Sequence, residues 1–148
     1  MGALMYKRIL VPVDGSKTSN AALDQAMGLA RDQKAELRVV YVIDEAAIIA
    51  GSEYGDMLGV EKTQIEAGHA VLEKAKALSP DAQTKLLETE QVGQGISEVI
   101  VQDAGVWGAD LIVAGTHGRT GLSHLLMGSV AEGIVRISKV PVLLVRGA

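Results

Sequence analysis

Cysteine is absent from this chain, as is phenylalanine, and aromatic residues make up only 3% of it. Without cysteine there are no disulfides, no thiol nucleophile and no cysteine-based metal site. With so few aromatics, stacking platforms for nucleic-acid bases are poorly supplied. A net charge of -4 also disfavours a phosphate backbone as partner, so no nucleic-acid partner is expected. No apolar run approaches the roughly 20 residues that a membrane helix needs. The N-terminus lacks a basic segment followed by a sustained hydrophobic one, so no secretory signal is expected. These absences together point to a cytoplasmic protein with no membrane partner. His69 and His124 have no companions at metal-ligand spacing.

What the chain does have is apolar residues, 48% of 148, enough for one domain with one core. They alternate between two periods. Lys7 to Val13 reads as a first strand. Leu23, Ala26, Met27 and Ala30 recur at helical spacing and place a helix over Lys17 to Gln33. Glu36 to Ile43, rich in β-branched residues, is a second strand. Glu45 to Gly59 holds small residues and reads as a mobile connection. Val60 to Leu78 is a long amphipathic helix that Ser79-Pro80 ends. Thr84 to Val92 is a more polar third strand, suited to an edge. Ile96 to Trp107 is helical, and Asp110 to Ala114 is a buried fourth strand. Ser129 to Ser138 forms the last helix and Val140 to Val145 the fifth strand.

Alternating strands and helices predict a single doubly wound five-stranded parallel sheet of the α/β class, with helices on both faces. Ligands of such sheets bind beyond the carboxyl ends of the strands, where strand order reverses. Two strand ends carry unusual polar chemistry: Asp14-Gly15-Ser16 after strand one, and Gly115-Thr116-His117-Gly118 through Gly128-Ser129 after strand four. Both serve one site if strands one and four are neighbours, which requires the order 3-2-1-4-5.

The second of these stretches carries the chemistry. Glycines allow a sharp turn and close approach of the backbone to a ligand. The first amides of the following helix have no internal partner, and the helix dipole adds partial positive charge there. Strand, glycine loop and helix start together suit a phosphate. Ser129 adds a hydroxyl able to cap the helix or meet a phosphate oxygen. His117 and Arg119 are both able to donate to anions. No lysine follows the glycines, so this is not a P-loop. Gly93-Gln94-Gly95 also looks like a phosphate turn, but it follows strand three, at the far edge, and reads as an ordinary turn.

The pattern Gly-x2-Gly-x9-Gly-Ser, as Gly115, Gly118, Gly128 and Ser129 stand here, resembles the nucleotide signature of the universal stress protein family. Tyr6 to Ser16 resembles that family's first strand and turn, Val39 to Asp44 its second strand, and Lys139 to Val145 its last. The similarity runs in order along nearly the whole chain. It implies a Rossmann-like fold, of the adenine nucleotide alpha hydrolase-like type, with the same strand order. Because the full glycine signature is kept, the chain resembles the ATP-binding branch of the family. The resemblance implies ATP (or ADP or AMP) with Mg2+ as ligand.

It also suggests roles. Pro12 and Val13 would wall the base, and Val42 would offer its backbone N–H and C=O to the adenine edge. All three equally suit ordinary strand core. Asp14 fits a turn or helix cap, or a contact to ribose or a phosphate-bound metal. Gly115, Thr116, His117 and Gly118 would approach ribose and phosphates, and Gly128, Ser129 and Val130 would donate to the outer phosphates. Arg119 matches a basic position of the family loop and equally suits a solvated loop. His117 equally suits a loop histidine bonding the backbone.

No general base is evident, and nothing positions a water in line with a γ-phosphate. Three functions remain open: an ATP-binding regulatory or stress-response protein meeting an unidentified protein partner, a slow ATPase or nucleotidyl-transfer enzyme, and a nucleotide-free interaction module. Val140 to Val145 is an apolar strand at the expected sheet edge, and such edges are normally covered. A homodimer paired through strand five is the simplest cover, and the family resemblance implies the same arrangement.

Overall fold

The computed structural model describes residues 5–45, 48–49, 57–89, 94–117 and 127–147. Five parallel strands form one sheet in the order β3-β2-β1-β4-β5. They are β1 (Arg8–Pro12), β2 (Glu36–Ile43), β3 (Gln83–Glu88), β4 (Leu111–Gly115) and β5 (Val142–Val145). Among the described residues, four helices of full length alternate with them: α1 (Lys17–Gln33), α2 (Met57–Leu78), α3 (Ile96–Trp107) and α4 (Ser129–Ile137). The order is the one expected from the two polar strand ends.

β1 is paired on both sides. Ile9 sits opposite Leu37 on β2 and Leu111 on β4. Ile9, Leu10 and Val11 have no exposed surface, which explains why this strand reads as a continuous apolar run. Its side chains divide the core in two. Ile9 and Val11 face α1 and α2, packing with Leu23, Ala26 and Leu72. Leu10 faces α3 and α4, packing with Ile100, Ile112 and Ile134. Burial on both faces is the main stabilising term, at roughly 25 cal/mol per Å² of apolar surface.

Close packing sets two helix positions. A Cβ at Gly68 in α2 would lie 2.6 Å from Leu86 Cδ1 and 2.8 Å from the Tyr41 ring. A Cβ at Gly133 in α4 would collide with the Ser97 hydroxyl of α3. The helix ends follow ordinary rules. Ser16 caps α1 by accepting from Ser19 N–H, and α1 closes on Lys34 in the left-handed region at φ 55°. Gly108, at φ 86°, closes α3 and suits that conformation better.

The amino ends of the strands are closed by charge. Buried Asp103 on α3 pairs with Arg38 at 2.8 Å and Lys85 at 3.4 Å. The Arg38 and Arg8 guanidinium groups lie 5.5 and 5.8 Å from the Trp107 ring centroid, a cation–π arrangement. The Asp110 carboxylate accepts from the Lys7 and Arg8 amides. It is thereby drawn out of β4, which starts one residue later than expected.

Other boundaries also move. The connection expected over 45–59 is helical at Glu45, Ile48 and Ile49, and α2 begins at Met57 rather than Val60. Ile48 is 6% exposed and joins the core; residues 46–47 and 50–56 of that connection lie outside the described part. β3 ends at Glu88 rather than Val92. Thr89 N–H still reaches Ile43 C=O, and the Thr89 hydroxyl accepts from Glu45 N–H; residues 90–93 lie outside the described part. β5 starts at Val142, not Val140. Pro141 has no N–H to give, and Val140 N–H is taken by Ser138 Oγ at 3.1 Å. No helix among the described residues is long and apolar enough to cross a membrane.

Candidate functional site

A cavity of about 400 Å³ opens at the carboxyl ends of β1, β2 and β4, within the size range of small-molecule sites. It lies at the point where strand order reverses, with β2 and β3 to one side of β1 and β4 and β5 to the other. Ten of the sequence-predicted site residues line it: Pro12, Val13, Asp14, Val42, Gly115, Thr116, His117, Gly128, Ser129 and Val130. Gly118 and Arg119 lie outside the described residues.

Each strand end presents something different. β1 ends at Pro12, and Gly15 at φ 85° turns the chain into α1. Asp14 Oδ1 accepts from Ser16 N–H at 2.9 Å, an Asx turn. The turn role of Asp14 is therefore present, and its side chain lines the cavity as well. The Asp14 N–H donates in turn to Ser19 Oγ at 3.2 Å.

β2 presents backbone. Along a strand the polar groups of successive residues face opposite edges. Val40 C=O accepts from Val13 N–H on the β1 side at 2.8 Å, and Ile43 C=O accepts from Thr89 N–H on the β3 side at 3.1 Å. Val42 therefore directs its N–H and C=O toward the β1 side, just past the point where β1 has ended.

β4 presents the start of the glycine loop. Thr116 N–H donates to Val145 C=O at 3.0 Å, and Thr116 C=O accepts from Gly128 N–H at 2.6 Å. The latter bond closes the long loop at its base. His117 Nδ1 lies 3.2 Å from Thr116 Oγ1. Gly115 is a glycine for a packing reason. A Cβ there would lie 2.9 Å from the Thr18 backbone carbon and oxygen. Close approach of α1 to the end of β4, rather than of a ligand, leaves no room at this position.

α4 presents donors. Gly128, buried, is its N-cap at φ -64° and ψ 154°. Ser129 is thus the first helical residue and not the cap. The first bond of the helix runs from Glu132 N–H to Gly128 C=O at 3.0 Å. The amides of Ser129, Val130 and Ala131 precede it and have no carbonyl of their own helix to meet. All three residues line the cavity, at the positive end of the helix dipole.

Other residues line the cavity as well. Asp44 and Gln64 add polar groups, while Ile96, Ile100 and Ile134 supply an apolar floor. Asp44 follows β2 as Asp14 follows β1, so the strand-end rule reaches it. Ile96 and Ile100 are one helical turn apart on the inward face of α3. The turn at Gly95 therefore lies nearer the cavity than its place after an edge strand suggested, because α3 crosses back over β2. Gln64 sits on α2, whose start was obscured by the preceding segment. Among the described residues, no group of three or more His, Cys, Asp or Glu side chains is placed to hold a metal.

The Gly115 contacts carry a stability consequence. The obstructing atoms are backbone and have no rotamer to change. Gly115→Ala should destabilise the fold by about 1–3 kcal/mol, measured as a lower urea midpoint with unchanged slope.

Comparison with known proteins places this arrangement. The model of the Universal stress protein family matches residues 5–146. Universal stress protein MJ0531 of Methanocaldococcus jannaschii is 34% identical over 98% of this chain and 85% of its own. The solved structure of MJ0577, from the same organism, superposes with a TM-score of 0.79 at 30% identity, covering 98% of this chain and 99% of that one. A universal stress protein solved in complex with cAMP has a TM-score of 0.72 at 25% identity, over 98% of this chain and 100% of that one. By extent of match and by fold, the chain belongs to the universal stress protein family.

Proposed function

We propose that this protein binds ATP, or the related ADP or AMP, in the cavity between β1 and β4, and acts as a nucleotide-dependent regulatory or stress-response factor. One observation carries the reading: three helix-start amides, at Ser129, Val130 and Ala131, line the same cavity as Asp14 and the outward-facing backbone of Val42. The α4 end suits phosphates. The Val42 N–H and C=O form a donor–acceptor pair complementary to the adenine edge, between the apolar Pro12 and Val13 on one side and Ile96 and Ile100 on the other. The ribose then falls near Asp14. A related protein solved in complex with cAMP supports an adenine nucleotide as the ligand. Any Mg2+ would arrive with the phosphates, and Asp14 and Asp44 are lining carboxylates able to supplement them.

The phosphate half of the reading has a clean test at Ser129. Proline suits the first position of a helix and removes only a backbone N–H that the helix does not use. It also requires an extended residue before it, which Gly128 already is. Ser129→Pro should therefore fold normally and weaken ATP binding on the order of tenfold or more, the cost of a lost hydrogen bond to a charged group. Ser129→Ala, which keeps the amide, is the control. Calorimetry giving equal ATP affinity for both variants would remove the α4 end from the site.

Among the described residues, the cavity holds no arrangement for activating water. Turnover of ATP by the pure protein should stay well below about 1 per second, followed as released phosphate under multiple-turnover conditions. Faster release would favour the enzymatic reading.

Assembly follows from the sheet edge. β5 pairs with β4 on one side, Leu143 is 38% exposed, and Val142, Leu144 and Val145 are half-buried. We propose that two copies cover this edge by antiparallel pairing of β5 about a two-fold axis. Light scattering should report a dimer at micromolar concentration, and Val142→Lys with Leu144→Lys should give a monomer or an unfolded chain. A monomeric wild type refutes the pairing.

A further inference from the structure

Thr18 is the second residue of α1 and does not line the cavity, yet it touches three parts of the chain that meet behind it. Its hydroxyl donates to the C=O of His117. Its backbone carbon and oxygen are the atoms that leave no room for a Cβ at Gly115. Its Cγ2 abuts Gly147, just after β5, where a Cβ would collide with it. The hydroxyl is not needed to start α1, because Ser16 caps that helix through Ser19 N–H. Its approach to Ser16 Oγ is long, at 3.4 Å.

The His117 carbonyl is a consequential place to hold. Thr116 N–H is fixed by Val145 C=O on β5, and Thr116 C=O is fixed by Gly128 N–H ahead of α4. Those two bonds join backbone to backbone and contain no side-chain group. A third bond, to His117 C=O, comes from a side chain of a different helix. It holds the carbonyl of His117, the residue next to Thr116, and Thr116 is bonded to the N-cap of α4. A shift at residues 116–117 therefore moves Gly128 and the amides of Ser129 and Val130.

We propose that Thr18 is a positioning residue for the phosphate-binding end of the cavity, acting through His117 and Thr116 on the start of α4. The proposal rests on the nucleotide reading above. It makes a distinction that general destabilisation does not: the base end, built from Pro12, Val13 and the Val42 backbone, is carried by β1 and β2 and is untouched. Loss of the hydroxyl should weaken ATP and spare adenosine.

The test uses Thr18→Val, which keeps the shape and removes the hydroxyl, and Thr18→Ser, which keeps the hydroxyl. ATP affinity should fall about 3- to 10-fold in Thr18→Val, the usual effect of one lost hydrogen bond, and return in Thr18→Ser, with adenosine affinity unchanged in both. Amide exchange at Gly128 in the ligand-free protein should accelerate in Thr18→Val and recover in Thr18→Ser. If Thr18→Val does not fold, Thr18→Ala, which only removes atoms, takes the same measurements. Equal losses for ATP and adenosine, or a Thr18→Ser that behaves like Thr18→Val, overturn the positioning role. Wild-type protein with no affinity for ATP overturns the nucleotide reading instead. Exchange at Gly128 that is identical in wild type and variants overturns the positioning role whether or not the nucleotide binds.

Discussion

β1 is hydrogen-bonded on both edges, to β2 and to β4, and this double pairing governs the rest of the molecule. The chain leaves β1 in one direction through β2 to β3, then returns past it to β4 and β5. Right-handed crossovers place the helices of the two halves on opposite faces. α1 and α2 pack on the Ile9 and Val11 side, and α3 and α4 on the Leu10 side. At the carboxyl end of β1 the chain turns one way at Gly15 while the chain beyond β4 turns the other. Among the described residues, nothing in the topology fills the gap between them. The cavity is thus a product of strand order, and the side chains around it only decide what it can hold.

What it can hold is set by an asymmetry of charge. Asp14 and Asp44 stand at the ends of β1 and β2, and the unpaired amides of Ser129, Val130 and Ala131 stand across from them on α4. A ligand that is anionic at one end and rich in hydroxyls or amino groups at the other matches both sides. Inorganic phosphate satisfies only the α4 side. An apolar ligand satisfies only the floor of Ile96, Ile100 and Ile134. The amides matter more than the side chains here, since a helix start offers fixed donors whose orientation needs no ordering on binding.

The fold was largely legible in the sequence because the two periods of apolar residues are clean. Strand order was legible as well, since Asp14 and the glycine loop make sense together only if β1 and β4 adjoin. Errors fell where local chemistry overrode the pattern. Asp110 reads as strand but spends its carboxylate on the Lys7 and Arg8 amides. Ile48 lies among small residues that suggested a loose connection, yet it is drawn into the core. Lining residues from α2 and α3 were missed because a helix face becomes a cavity wall only through tertiary placement. Gln64 shows this most plainly: no local feature separates it from any other polar residue of an amphipathic helix.

The glycine signature also proves to be several constraints written in one alphabet. Gly115 is required by the backbone of α1, with contacts at 2.9 Å. Gly128 is a buried N-cap in an ordinary extended conformation, so no backbone strain demands a glycine there. Its importance lies in its N–H, bonded to Thr116, and in the uncovered amides that follow. A motif read as one device for approaching a ligand is divided between packing a helix against a strand and opening a second helix toward the cavity. The two functions meet at residues 116 and 117, where β5, α1 and α4 each hold one backbone group. Through Thr116 and Val145 the same junction is joined to β5, so one short stretch of chain links the edge strand to the rim of the cavity.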